Sequence, residues 1–133
     1  MNFSRAFVLG AALAVAAVAE AHHSFAMFDA DKEQTIEGVV KEFQWTNPHI
    51  WIVVNVTGTD GKVVEYNIEG ASPNGLRREG WTRNSMKPGD KVVLTMHPLR
   101  DGAPGGSFMS AVVNGRPLTR GANVPEQPGS AAK

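Results

Sequence analysis

Apolar residues between positions 35 and 113 recur with the two-residue period of half-buried strands, in short runs punctuated by Gly, Pro, Asn and Asp. Residues 35–45, rich in Ile, Val, Phe and Trp, predict a first strand closed by the turn Thr46-Asn47-Pro48, with Gly38 marking a bend or bulge inside it. The alternation is cleanest over residues 49–57. Ile50, Ile52, Val54 and Val56 share one face, the better core face, and His49, Trp51, Val53 and Asn55 share the other. Gly58-Thr59-Asp60-Gly61 is a hairpin turn, and residues 62–68 return as a third strand with Val64, Tyr66 and Ile68 in phase.

The period then changes. Ser72-Pro73 predicts a short helix, because serine caps the first turn and proline suits the first helical position, and Gly80 stops it. Leu76 is its one clear apolar side chain, so the helix is expected to plug the end of a barrel. Lys87-Pro88-Gly89-Asp90 turns into a fourth strand at residues 91–97. A glycine-rich loop at 100–107 leads to a fifth strand at 108–113, and Asn114-Gly115 turns the chain back over 116–118. Three strands, a helix and two more strands are the order of the five-stranded OB-fold, an all-β Greek-key barrel with one short helix. The alternative arrangement for such a set is a β-sandwich.

Both ends fall outside this pattern. Residues 1–5 are a short basic start, residues 6–18 are unbroken apolar chain, and Ala19-Glu20-Ala21 supplies small residues at a cleavage position. This is the three-part form of a secretory signal, and the run is well short of the about 20 apolar residues a membrane span needs. Cleavage after Ala21 removes 21 of 133 residues and leaves 112, beginning at His22, for the periplasm or the exterior. Residues 22–34 form an arm, residues 35–118 the barrel, and residues 119–133, with almost no apolar content, a disordered tail.

Composition narrows the chemistry. The chain carries 13 Lys+Arg against 13 Asp+Glu and no cysteine. Neutrality argues against a nucleic-acid partner, since displacing counterions from phosphates needs surplus positive charge. The lack of cysteine excludes disulfides, thiolate metal sites and a cysteine nucleophile. No nucleophile elbow, His-Glu-x-x-His or phosphate-binding glycine pattern occurs, so nothing points to an enzyme.

The residues that remain are aromatic and histidine side chains. His22-His23-Ser24-Phe25 after the signal, Gly38-Val39-Val40, Trp45-Thr46-Asn47-Pro48-His49-Ile50-Trp51, Gly70-Ala71-Ser72-Pro73-Asn74 and Gly80-Trp81 together resemble a family of small exported bacterial proteins classed as a domain of unknown function. That resemblance implies export and a small barrel, and no activity. A looser likeness is to periplasmic copper and silver chaperones with OB-type barrels; their paired-methionine motif has no counterpart here, where Glu65-Tyr66-Asn67 occupies the stretch.

Two functional readings follow. In the first, the strand-two face binds a small ligand or a partner protein in the periplasm, through Trp45, Asn47, His49, Trp51 and His97. The loops after strands one and four flank the binding face of an OB-fold, which places His49 and His97 on one rim. In the second, the protein holds copper or a similar ion. Cleavage gives His22 a free α-amine, which with the imidazoles of His22 and His23 offers three nitrogen donors suited to Cu(II), Ni(II) or Zn(II), and His49 is a further ligand. Trp81, after the helix stop, is expected to be a barrel plug.

Overall fold

The computed structural model describes residues 26–119. Within them the chain forms β1 (Gln34–Gln44), β2 (Trp51–Thr57), β3 (Val63–Glu69), α1 (Pro73–Arg78), β4 (Lys91–Pro98), β5 (Gly105–Val113) and β6 (Arg116–Thr119). The strands hydrogen-bond in the order β3-β2-β1-β4-β5-β6, and a further parallel pairing of β3 with β5 closes the first five into a barrel. All other neighbours are antiparallel. Each of the five strands therefore has two partners, which is the OB-type closed barrel and excludes the open sheets of a sandwich. The expected signal segment, His22, His23 and the tail beyond Thr119 lie outside the described residues.

β1 serves two partners. It pairs with β4 from Gln34 to Val39 and with β2 from Val39 to Gln44. Gly38 sits at this corner, where a Cβ would lie 2.3 Å from the carbonyl oxygen of Asn55. The bend expected at Gly38 is there, and the bulge falls three residues later, between Val40 and Glu42. One extra residue reverses the inward parity of the strand. Ile36 and Val40 point into the core before the bulge, and Phe43 and Trp45 do so after it.

β5 begins at Gly105, three residues before the expected start. Gly105 and Gly106 belong to the barrel wall, where β5 wedges between β3 and β4. A Cβ on Gly105 would lie 2.4 Å from the carbonyl oxygen of Asn67, and one on Gly106 2.3 Å from that of His97. Here glycine serves close backbone approach and not a loop.

The predicted core face of β2 is buried at Ile50, Ile52 and Val54. Val64, expected in phase with the core, is 43% exposed. β1 pairs with β2 only as far as Asn55, so the tip of the β2–β3 hairpin has no third strand over it. α1 closes one end of the barrel as expected. Ser72 Oγ accepts the Gly75 N–H at 3.2 Å, Gly80 takes a positive φ of 89°, and Leu76 and Trp81 are buried. Trp81 meets Phe108 edge to face at 5.2 Å between centroids.

The arm lies against the barrel where it is described. Phe28 makes an isolated bridge to Leu99, Asp29 N–H donates to the Pro98 carbonyl at 2.8 Å, and Arg100 N–H donates to the Met27 carbonyl at 2.9 Å. Asp29 also pairs with Lys32 at 3.1 Å and faces Arg100 at 3.7 Å.

Candidate functional site

Register builds the site. Trp51 of β2 is opposite Glu69 of β3, Glu69 is opposite Ser107 of β5, and Ser107 is opposite His97 of β4. Paired residues project from the same side of a sheet, so these four form a row on the outside of the barrel. Trp51 is 36% exposed, whereas Glu69 is 9% exposed, the one charged side chain buried among the described residues.

His49 lies at the end of this row, just before β2. The ladder continues past the strand, with Ile50 N–H donating to the Ala71 carbonyl at 3.0 Å and Gly70 N–H to the Ile50 carbonyl at 2.9 Å. That brings the Gly70 carbonyl to 3.0 Å from His49 Nδ1. A carbonyl only accepts, so Nδ1 carries the proton. The other ring nitrogen, Nε2, faces Glu69 with 3.5 Å to Oε1. This exceeds the about 2.7–3.2 Å of an ordinary N–H···O bond.

Phe28 from the arm and Ser72, Gly75 and Glu79 around α1 complete a recess of about 250 Å³ over this pair. Two carboxylates and one imidazole line it, with no lysine or arginine. Its electrostatic preference is for a cation.

The five ligand-contact residues expected from sequence separate here. His49 lines the recess, and Trp51, at the start of β2, stands exposed on the outer row without lining it. Asn47 is exposed on the turn and does not line the recess. Trp45 lies in the core at 7% exposure, with Phe43 at its edge and the Arg77 guanidinium 5.8 Å from its ring centroid. The bulge in β1 turned it inward, so it forms no exposed aromatic surface with Trp51. His97 belongs to the same row but does not line the recess; its Nδ1 donates to the Lys32 carbonyl at 2.8 Å and so holds the arm. Sequence reasoning missed Glu69 and Glu79. The hairpin turn carried the signal for Glu69, because counting back from Gly58–Lys62 pairs Thr57 with Val63 and therefore Trp51 with Glu69.

Among the described residues no three His, Cys, Asp or Glu side chains gather as a metal site. No helix among them is long and apolar enough to cross a membrane.

A solved structure similar to this chain is the crystal structure of a mitochondrial single-stranded DNA-binding protein from S. cerevisiae, Rim1. The match has 16% identity and a TM-score of 0.46, covering 68% of this chain and 97% of that one. No curated protein matches the sequence. A family model does, over residues 11–108, and that span takes in the His22-His23 pair, the Trp-Thr-Asn-Pro-His stretch and all of the barrel up to Phe108 in β5. The chain belongs to the family of unknown function DUF6152.

Proposed function

We propose that this protein is an exported, periplasmic binding module that takes a small cationic ligand, or a cationic group of a partner, at the start of β2. What supports this is the burial of Glu69 beside His49 in a recess lined by two carboxylates and no lysine or arginine. Leaving a carboxylate in such a place costs free energy unless a positive group compensates it. The volume, about 250 Å³, is below the about 300–1,000 Å³ of sites for drug-sized molecules, so the bound part is small. The exposed ring of Trp51, outside the recess but opposite Glu69 in the same row, offers a face for any organic part that extends beyond it. Neutral overall charge speaks against nucleic acid as the partner.

The test is an NMR titration of the ¹⁵N-labelled mature protein with guanidinium, methylammonium and Zn(II), each at low millimolar concentration or below. At least one probe is expected to shift the amides of His49, Trp51, Glu69 and Ser107 and to leave the β2–β3 hairpin tip unmoved. If none of the three shifts those amides, the recess is not the binding site.

A further inference from the structure

We infer that the outer face of β1, β4 and β5 is a two-fold interface between copies of this chain, centred on a stripe of three valines. This face shares no lining residue with the recess, so the inference stands apart from the binding reading above.

Strand parity and register build the stripe. On β4, Val92, Leu94 and Met96 turn into the core, which leaves Val93 outside. Across the ladders Val93 is opposite Val112 of β5 and Glu37 of β1, and two residues along β4 Lys91 is opposite Val39. Paired residues share a side of the sheet, so Val39, Val93 and Val112 form one oblique line over three strands. All three are exposed and line a single groove of about 420 Å³. The next outward pair is polar, Thr35 and Thr95, with hydroxyls 3.0 Å apart. A lone exposed valine on a strand is ordinary, whereas a contiguous apolar patch with a polar rim marks a contact surface.

Charge placement names the occupant as a second copy. Glu37 and Lys91 take opposite corners of the patch, one on each side of the line from Val39 to Val93. Both are exposed, and neither has an ion-pair partner among the described residues. A two-fold axis along that line lays the valine stripes on each other and sets Glu37 of each copy against Lys91 of the other. Such self-complementarity is what an isologous contact requires. A partner of uniform charge would meet one residue of its own sign. Both edges of β4 are taken, by β1 and β5, so the groove offers side chains and no free strand edge for an extended peptide to pair with. The balance of 13 Lys+Arg against 13 Asp+Glu puts no long-range repulsion between copies.

The experiment is sedimentation velocity on the intact protein recovered from a bacterial host, run from low micromolar to millimolar concentration. A monomer that passes to a dimer as concentration rises is expected, and Val93→Lys is expected to stay monomeric over the same range. Glu37→Lys and Lys91→Glu each set like charges against one another and should weaken association at least about tenfold, while the double variant restores the pairing and should return to within about threefold of the parent. Near-ultraviolet circular dichroism checks that each variant is folded. A monomer at every concentration overturns the inference, and so does a dimer that Val93→Lys leaves intact. A dimer broken by Val93→Lys but indifferent to both charge reversals overturns the two-fold placement and the inference with it. If the protein is monomeric and deleting residues 120–133 shifts the valine methyl resonances, the groove belongs to the chain's own tail and the inference is overturned.

Discussion

The three tryptophans show how differently one residue type is used along 37 positions of chain. Trp81 is 2% exposed, against Phe108 in the plug of the barrel, and Trp81→Ala is expected to cost about 3–5 kcal/mol in urea denaturation, the usual range for emptying a large core site. Trp51 is 36% exposed on the outer row, and Trp51→Ala is expected to lower the unfolding free energy in the same experiment by under about 1 kcal/mol. A large loss from the second change would mean that Trp51 is structural and not part of a binding surface. The position after the helix stop made Trp81 legible as a plug. Trp45 was not legible, because its direction depends on a bulge at Lys41, an ordinary strand residue that carries no sign of one. Glu69 is a subtler case: its parity in β3 points outward, where a carboxylate looks merely solvated, and only the arm and α1 make it buried.

At the scale of elements, the start of β5 parts from the sequence expectation, and it does so through glycine. Glycines 105 and 106 carry a loop signal in sequence, and their barrel role depends on carbonyls of β3 and β4 that lie far away in the chain. Gly106→Ala is expected to open or distort the wall, lowering the thermal midpoint by well over 5 °C in circular dichroism, since its Cβ meets the His97 backbone carbonyl at 2.3 Å as well as the more yielding Met96 Sδ at 2.9 Å. A midpoint within 1 °C of the parent would show that the wall relaxes freely.

The arm carries a pH dependence. The Lys32 ammonium, hydrogen-bonded to Asp29, holds that carboxyl below its ordinary value, with the Asp31 amide and the Arg100 charge acting in the same direction and partial burial opposing them. A carboxyl depressed in the folded state adds stability above its unfolded value and loses it as pH falls through the folded one. Below pH about 4 the arm is therefore expected to loosen, read as faster hydrogen exchange at the Arg100 amide that donates to Met27. Asp29→Asn should exchange at the fast rate at every pH, after correction for intrinsic chemistry. Equal protection in Asn and Asp forms at pH 6 would assign the docking to Phe28, His97 and the backbone bonds, with no share for the Asp29 carboxylate.

On the scale of the whole molecule, the closed barrel was legible from the order of three strands, a helix and two more strands, while the contact that closes it was not, because it is one short parallel pairing between segments far apart in the chain. β3 and β5 meet at three register pairs, Asn67 with Gly105, Ile68 with Gly106 and Glu69 with Ser107. The last of these is also a wall of the recess. An excursion that opens the cylinder at this seam pulls Glu69 away from Ser107 and so dismantles the recess proposed to hold a cation. An occupant thereby becomes a clasp on the hoop. At a hundredfold excess over its dissociation constant, it withdraws about 2.7 kcal/mol from unclasped states that do not hold it. If the proposed cation binds, loading and shutting favour one another.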